Sequence, residues 1–425
     1  MLGVLGLGGA ECRIMDLYRN MDRDRIQFDF LVHYPSDRTG KKCPTSDELM
    51  AVREPDYFDN MVLQLGGRIF CLPRFTGTNF VEYKKAIRNF FEGHQGEWNV
   101  VQGHMTSTAA IYLPIAKKFG GPICIAHARS AGVDSGIKGI ATRLLRSSLK
   151  RPGITDYNFA CSREAGISVF GEAQVDSGNV RIIPNAIDIK HFAYNPGIRD
   201  KIRAELGLSN ALVIGHVGSF RYAKNHEFLI RVFAQLTRLV DNDDLNEYNM
   251  LHGMRIRLLM LGKGPLMDDM KKLARELRIS DRCIFAGNKS NASDYYQAMD
   301  YFCFPSRYEG LPGSVIEAQA AGLQCLVSDS VTPEVNVTEL VSMRSIKSEP
   351  RDWARKILDD LMLWDDRRAD SPDNENAGRG RKAIEISIGD RAESSGYILD
   401  RLRSAGFDVK SQAGMMKYFY ESGKF

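Results

Sequence analysis

The segment 301–318 reads YFCFPSRYEGLPGSVIEA, and its character changes twice within these few residues. Tyr301–Phe304 is a short apolar run that predicts a buried strand, and a glycine-rich turn separates it from a sequence that predicts a helix. A strand that passes through such a turn into a helix directs free backbone N–H groups and the positive end of the helix dipole at the space above the turn. Open α/β sheets bind ligands at this carboxyl end of their strands. The segment therefore predicts an α/β fold with a diphosphate site, in which Glu309 lies in the turn and Glu317 lies one turn into the helix.

Glu317 also has a simpler interpretation. Ser314 followed by Glu317 fits a capping box, in which the carboxylate only satisfies a backbone N–H group. A capping box explains neither Glu309 nor the turn Gly310–Gly313, so the segment as a whole still favours a ligand site.

The alternation of short apolar runs with longer amphipathic segments extends over the rest of the chain. It predicts one series of strands and helices in the first half and a second series from Leu212 onward, with Pro, Asn and Gly clustered between Pro184 and Gly197. Strict alternation implies parallel sheets with helices on both faces, and 425 residues exceed what one hydrophobic core usually serves. We therefore predict an α/β fold of two Rossmann-like, doubly wound domains that face a central cleft. The predicted divisions are 1–188, 189–362, a polar and disordered insertion at 363–384, and C-terminal helices at 385–425.

The composition excludes several classes of protein. The net charge is +4, from 57 basic and 53 acidic residues, an excess too small to indicate nucleic-acid binding. The eight cysteines form no C-x-x-C pair or zinc-ligand spacing, which indicates reduced thiols in a cytoplasmic protein. The N-terminus does not have the pattern of a signal peptide, and no apolar run approaches the length of a membrane span. The two D-x-D triplets, at 22–24 and 241–243, fall in helix-to-strand connections on the wrong side of the sheet, so we predict no metal and no cofactor.

Gly215–His226 repeats the order of strand, turn and helix start. Arg221 and Lys224 project from its turn, at the carboxyl end of the predicted strand Leu212–Val217. Two cations at this position would neutralise a bound diphosphate. The alternative is a pair of solvated surface cations, which an anion site on a strand of the same sheet disfavours.

The first half offers a glycine-rich loop and a group of basic side chains. Gly6–Glu11 resembles a dinucleotide fingerprint, but Glu11 stands where the third Gly or Ala belongs, so the loop predicts close backbone approach to a ligand rather than NAD. His104, His127 and Arg129 each follow the end of a predicted strand, and they should meet at one rim of the cleft. A lone histidine is more often structural.

The range 137–151 combines apolar and basic residues at helical spacing. The simpler interpretation is a helix with a core face and a solvated face, and the alternative is a patch for anionic lipid or a diphosphate-linked acceptor. The apolar positions are Ile137, Ile140, Leu144, Leu145 and Leu149, and the basic positions are Lys138, Arg143, Arg146, Lys150 and Arg151.

Glu309–Glu317 is similar to the E-x7-E motif of the family-4 retaining glycosyltransferases, which have the GT-B fold. The resemblance covers most of residues 1–362 and resumes near the C-terminus, and Val331–Thr338 is similar to the branch that builds capsular polysaccharides and exopolysaccharides. The other matching stretches are Gly8–Glu11, Ala160–Ser162, Ile183–Asp188, Leu261–Pro265 and Phe285–Gly287.

The resemblance implies roles for individual positions. Glu309 would contact the transferred sugar, His127 would lie near the anomeric carbon as a second catalytic residue, and Glu317 would bind the ribose. His104 and Arg129 are acceptor-side candidates. The implied donor-binding positions are the side chains of Arg221 and Lys224 and the backbone of Gly8, Gly9, Phe285, Gly310, Leu311, Pro312 and Gly313.

Some positions depart from the family pattern. The family's phosphate-binding arginine most often stands where this chain has Ser219. Gln102 replaces the first histidine of an H-x-H pattern, and His127–Arg129 replaces a His-Ser-His sequence. The family also implies that the C-terminal helix, predicted at Ala413–Tyr420, crosses back to the first domain.

The resemblance predicts a cytoplasmic enzyme that transfers a sugar with retention, without a metal, from a nucleotide sugar such as a UDP-sugar to a glycan or lipid-linked acceptor. The basic helix would permit peripheral contact with the inner face of the membrane. Three alternatives remain: an epimerase or hydrolase of nucleotide sugars on the same fold, a degenerate subunit that binds nucleotide sugars without turnover, and, more distantly, an NAD oxidoreductase.

Overall fold

The computed structural model describes residues 1–129, 137–151, 153–241, 254–369 and 379–425. The chain divides into two compact units. Unit 1 comprises Met1–Ile187 and Asp408–Phe425, and unit 2 comprises Asp188–Phe407. The division at Ile187 lies one residue from the boundary that the sequence predicts at 188.

Unit 1 alternates helices and strands in parallel pairings throughout. Apolar residues of the strands, such as Val32, Cys71 and Ile125, are fully buried between the helices. The strands are β1 Phe30–Tyr34, β2 Ile69–Pro73, β3 Val100–Gly103, β4 Ile123–Ala128, β5 Tyr157–Ala160 and β6 Val180–Ile182. The helices before unit 2 are α1 Gly9–Asn20, α2 Ser46–Val52, α3 Asp59–Gln64, α4 Phe80–Gly93, α5 Thr106–Ala116, α6 Ile137–Ser147, α7 Arg163–Phe170 and α8 Glu172–Asp176.

The sheet of unit 1 is split, which differs from the single sheet that the alternation predicts. β1 pairs with β2, and a separate four-stranded sheet has the order β3-β4-β5-β6. Met1–Gly3 lies between the two sheets: the Leu2 N–H donates to the Leu31 carbonyl at 2.9 Å, and the His104 N–H donates to the Met1 carbonyl at 3.1 Å. The remaining gap is a cavity of about 290 Å³, lined in part by Phe28 and Trp98.

His33 connects β1 to two other parts of unit 1. Its Nδ1 lies 2.9 Å from the Leu2 carbonyl oxygen, and its Nε2 lies 2.8 Å from the Tyr83 hydroxyl in α4. A neutral imidazole satisfies both contacts, donating to the carbonyl and accepting from the hydroxyl. Burial lowers the pKa of His33 from 6.5 to about 4.

We expect His33 to make the folded protein less stable in acid. Between pH 6.5 and about 4 the unfolded chain binds a proton at this position and the folded chain does not, so the free energy of unfolding falls as the pH falls through this window. The pKa difference corresponds to about 3 kcal/mol. Urea unfolding of wild type and His33→Gln at both ends of the window measures it. The variant should lose this part of the pH dependence, and identical pH profiles would contradict the assignment.

Unit 2 has one six-stranded parallel sheet of order β12-β11-β10-β7-β8-β9. The chain order reverses between β7 and β10, which pair directly. The strands are β7 Ala211–Val217, β8 Arg255–Leu261, β9 Cys283–Gly287, β10 Tyr301–Phe304, β11 Gln324–Ser328 and β12 Val341–Arg344. The helices are α9 Ile189–Phe192, α10 Pro196–Glu205, α11 His226–Asp241, α12 Met267–Glu276, α13 Ala292–Ala298, α14 Gly313–Ala320, α15 Pro350–Ala369 and α16 Arg379–Ser404.

A buried cluster of charged side chains joins α10 to the start of β10. Asp300, directly before β10, pairs with Arg199 and accepts a hydrogen bond from Arg203 at 3.1 Å, both from α10. Burial opposes ionisation of Asp300, yet the two guanidinium groups lower the pKa of its carboxyl group. Arg391 of α16 donates to the backbone carbonyls of Ala321 and Met299 beside this cluster, at 2.7–2.9 Å.

Helices extend into both ends of the segment 363–384, which the sequence predicts to be disordered. Residues 363–369 belong to α15 and residues 379–384 belong to α16, while 370–378 lie outside the described residues. The prediction of disorder is wrong for these two ends. Composition measures how much a segment can bury, whereas extending an existing helix adds one hydrogen bond per residue without a new nucleation cost.

The last helix, α17 Val409–Ser422, belongs to unit 1. Its residues Val409, Ala413 and Met416 recur at helical spacing and are buried. Together with Phe419 they pack against a core that includes Ile125 and Phe159 of the four-stranded sheet. The C-terminal helix therefore completes the core of the unit that contains the N-terminus.

Candidate functional site

Lys224 and Glu309 meet at the point where the strand order of unit 2 reverses. Lys224 follows β7 and Glu309 follows β10, and the Nζ and Oε1 atoms lie 2.7 Å apart. Both side chains are largely buried, with 18% and 17% of their surfaces exposed. The Lys224 ammonium also lies over the ring of Phe304, 4.8 Å from its centre. A partly desolvated charge pair at the switch point of an open α/β sheet is the expected place for an anionic ligand.

Two glycines allow the loops around Lys224 to approach one another closely. Gly262 has φ +131°, and a Cβ atom there would lie 2.1 Å from the Gly218 carbonyl oxygen. A Cβ atom on Gly264 would lie 2.5 Å from the Phe220 carbonyl oxygen. Larger residues at either position would displace the loop that carries Lys224.

The turn from 310 to 312 leads directly into α14, which begins at Gly313 with Pro312 as its N-cap. Proline has no side-chain acceptor to cap the helix, so the first N–H groups at this terminus rely on other partners. Ser314 lies inside the helix, and the capping-box interpretation of Ser314 and Glu317 is therefore wrong. Glu317 is buried and accepts a hydrogen bond from the Tyr296 hydroxyl at 2.7 Å.

Arg221 and Arg307 add cationic side chains to this edge. Arg221 is exposed and forms no ion pair with the residues that the structure describes. Arg307 was missed by the sequence analysis, although it stands only two residues before Glu309. Its guanidinium lies over the Tyr222 ring at 4.4 Å, and its Nε is buried without a hydrogen-bond partner among the described residues. The Arg307 N–H donates to the Ala223 carbonyl at 2.7 Å, which ties the two loops together.

Phe285 lies near the end of β9, at the same edge of the sheet. Its ring packs at 5.9 Å from that of Phe220, so the side chain belongs to the core beneath the loop. The predicted contact through the backbone near Phe285 remains a prediction.

Two buried histidines lie close to Lys224, and no motif in the sequence indicates them. The ring centres of His216 and His226 are 4.6 Å apart. Burial lowers the pKa of His216 to about 4 and that of His226 to about 2. Both are therefore neutral at pH 7 and add no charge to the site.

Unit 1 contains a second group of candidate residues. His104 directly follows β3, and His127 lies near the end of β4. The centres of their rings lie 5.2 Å apart. Arg129 donates to His104 Nδ1 at 3.4 Å and to the Asn185 side-chain oxygen at 2.6 Å. Burial, and secondarily the positive charge of Arg129, hold the pKa values of both histidines well below their usual range. The structure thus brings together the three side chains that the sequence predicts at one rim.

Gly8 and Gly9 form the start of α1, with Gly8 as the N-cap. Burial lowers the pKa of Arg129, and among smaller effects the Glu11 carboxylate in the first turn of α1 raises it. The start of α1 therefore lies close enough to Arg129 for the two charges to interact.

The basic helix is only partly described. The side chains at 137 and 138 lie outside the described residues, and α6 ends at Ser147, so Lys150 and Arg151 follow it. Ile140 and Leu144 are 57% and 68% exposed, which corrects the interpretation that they form a core face. Leu149 is buried.

Residues 198–372 match the family described as Glycosyl transferases group 1. The chain is 30% identical over 361 residues to the putative glycosyltransferase EpsF of Bacillus subtilis strain 168, covering 84% of this chain and 85% of EpsF. It is 25% identical over 283 residues to an Escherichia coli enzyme named UDP-Gal:alpha-D-GlcNAc-diphosphoundecaprenol alpha-1,3-galactosyltransferase, covering 64% of this chain and 68% of that enzyme.

The fold is similar to that of HepE from Anabaena, which was solved in complex with UDP and glucose. The TM-score is 0.69 with 16% identity, and the match covers 99% of this chain and 98% of HepE. Identity this low supports the shared fold alone. Among the described residues, no helix has the length and hydropathy needed to cross a bilayer.

Proposed function

Because this chain belongs to the Glycosyl transferases group 1 family and is a glycosyltransferase of the GT-B fold, we propose that it transfers a sugar from a UDP-sugar to a glycan or lipid-linked acceptor. The observation that carries the proposal is the Lys224–Glu309 pair beside the start of α14. It combines a cation for the diphosphate with a carboxylate for the sugar hydroxyls.

The charges at this edge suit the departure of a diphosphate. Lys224, with Arg221 nearby in the same loop, would offset the negative charge that develops on the leaving group, and the N-terminal N–H groups of α14 would add hydrogen bonds. Arg307 is a third cation available at this edge. Glu317 would bind the ribose with the carboxylate that Tyr296 orients. Uridine is favoured as the base because the E. coli relative is named for a UDP-sugar.

We further propose that transfer proceeds with retention and without a metal. The leaving diphosphate would depart on the face that the acceptor approaches, through a state with oxocarbenium character, while Glu309 and His127 contact the sugar. Lys224, Arg221 and Arg307 would supply the positive charge that this leaving group requires. The anomeric configuration of the product, read by NMR, tests retention directly.

Donor binding provides the first test. We expect a UDP-sugar to raise the melting temperature of the wild type equally with and without EDTA, with GDP- and ADP-sugars less effective. Lys224→Ala should weaken donor binding by about 10- to 100-fold, since a hydrogen bond to a charged group contributes roughly 1.5–3 kcal/mol. Lys271→Ala, a cation on the exposed face of α12, is the matched control. If no nucleotide sugar raises the melting temperature of the folded wild type, the proposed assignment of the donor site is wrong.

The acceptor is proposed to belong to surface polysaccharide biosynthesis at the cytoplasmic face of the membrane. The E. coli relative is named for a diphosphoundecaprenol acceptor, and EpsF resembles this chain over most of its length. His104 and Arg129 are the residues of unit 1 proposed to contact the acceptor.

We also propose that α6 contacts anionic lipid. Ile140 and Leu144 of this helix are exposed. Its Leu145 lines a cavity of about 570 Å³ between α4, α5 and α6, to which Lys84, Arg88 and Lys118 also contribute. Exposed apolar side chains surrounded by cations are typical of helices that lie at a membrane surface.

Vesicle binding tests this contact. We expect the wild type to cosediment with vesicles rich in phosphatidylglycerol and to dissociate as salt is raised. Ile140→Ser with Leu144→Ser should reduce binding several-fold, whereas Leu63→Ser, an equally exposed leucine of α3, should not. Equal binding by all three proteins would refute a role for α6.

A further inference from the structure

Three polar side chains from distant parts of unit 1 form a continuous hydrogen-bond chain. The Tyr420 hydroxyl of α17 donates to Gln102 Oε1 at 2.7 Å, and Gln102 Nε2 lies 2.9 Å from His127 Nδ1. We propose that Tyr420 is a positioning residue for His127 and acts through Gln102. The inference rests on the proposed function, in which His127 contacts the sugar.

The direction of each hydrogen bond follows from the chemistry of the groups. The Gln102 oxygen can only accept, so the Tyr420 hydroxyl donates to it. The Gln102 amide nitrogen can only donate, so His127 Nδ1 accepts. A neutral imidazole that accepts at Nδ1 carries its proton on Nε2. The chain therefore fixes His127 as the Nε2–H tautomer.

The environment keeps each member in the required protonation state. Burial raises the pKa of Tyr420, so its hydroxyl remains a donor. Burial lowers the pKa of His127, so the ring is neutral and its tautomer determines what it offers a ligand. His127 is 1% exposed, and its Nε2 is buried without a hydrogen-bond partner among the described residues.

Packing holds the chain in place at both ends. The Tyr420 ring meets Phe28 edge-on at 5.9 Å, and Phe419 beside it is fully buried against Phe159. Phe159 also meets the His127 ring edge-on at 5.7 Å. The rings therefore cannot turn away from Gln102 without disturbing the core.

The consequence is a hydrogen-bond donor with a fixed direction. The Nε2–H of His127 would donate to an oxygen atom of the bound sugar or of its acceptor. The opposite tautomer would present a lone pair at the same position and could only accept. Losing the Tyr420 hydroxyl removes the group that holds the Gln102 oxygen away from His127.

The tautomer can be measured in the free protein by long-range ¹H–¹⁵N NMR of the histidine rings. We expect the Nε2–H form for His127 in the wild type and a mixture of both tautomers in Tyr420→Phe. Tyr418→Phe, on an exposed turn of the same helix, is the matched control and should leave the wild-type tautomer. Gln102→Glu should invert the tautomer, because a carboxylate beside Nδ1 requires a proton there.

Activity provides the second measurement. We expect Tyr420→Phe to lower kcat about 10-fold with KM for the donor within twofold of wild type, and Tyr418→Phe to change neither. A wild-type tautomer in both Tyr420→Phe and Gln102→Glu would overturn the inference, as would wild-type kcat in Tyr420→Phe. The NMR readout needs no substrate, so failure of the proposed reaction would leave the tautomer result intact and distinguishable.

Discussion

Glu309→Gln should lower kcat by about 100- to 1,000-fold, the loss typical of removing one group that stabilises a transition state. The glutamine keeps the size of the side chain but removes the charge that pairs with Lys224 at 2.7 Å. The amide of glutamine has an NH2 group where the carboxylate has its second oxygen. This group donates, so it cannot accept a hydrogen bond from a sugar hydroxyl, and it would face the Lys224 ammonium unfavourably. Product formation by the purified variant under saturating donor measures the loss.

The binding step separates a catalytic role of Glu309 from a structural one. Donor affinity should change less than fivefold in Glu309→Gln, because Lys224 and the start of α14 remain. Glu227→Gln removes the same charge from an exposed pair on α11 and should leave kcat unchanged. A variant with wild-type kcat would exclude Glu309 from the reaction, and one that has lost donor binding would reassign it to positioning Lys224.

Asp300→Asn is expected to cost about 3–5 kcal/mol of unfolding free energy, the range for breaking a buried ion pair by removing one partner. Arg199 and Arg203 both form ion pairs with this carboxylate, and the charge of Arg391 also interacts with it. Asparagine would leave these buried cations without an anion. Equilibrium urea unfolding, followed by tryptophan fluorescence to which Trp353 of unit 2 contributes, measures the change.

The matched control for this prediction is Asp268→Asn. Asp268 pairs with Lys271 on the surface of α12 and is 93% exposed, so its loss should change the stability by less than about 0.5 kcal/mol. A similar small change in both variants would show that Asp300 does not hold the cluster together.

The sequence predicted the features that depend on local pattern. Alternating apolar runs located two α/β units and a boundary one residue from the observed division, and the glycine-rich turns located the edge where Lys224 and Glu309 meet. Three predictions were wrong because the observed feature depends on where a segment lies in the fold and not on its composition. They concern the split sheet of unit 1, the helical ends of 363–384 and the exposed Ile140 and Leu144.

Contacts between distant residues were beyond the sequence analysis. The Tyr420–Gln102 hydrogen bond joins positions 318 apart in the chain, and no local spacing predicts it. Glu317 appeared to fit a capping box because Ser314 precedes it by three residues, but the helix begins at Gly313, and Tyr296 orients the carboxylate instead. Arg307 had a usable signal, since it is a cation in the quoted segment beside the predicted diphosphate site.

The position of α17 sets the order in which the protein can mature on the ribosome. About 220 residues of unit 2 are translated between Ile187 and Asp408, which takes roughly 10–45 s at 5–20 residues per second. Until then Ile125 and Phe159 lack the Met416 and Phe419 side chains that pack against them, and Gln102 lacks its hydrogen bond from Tyr420. The core of unit 1 therefore remains incomplete while unit 2 is translated. The core of unit 1 is complete only after α17 has been translated.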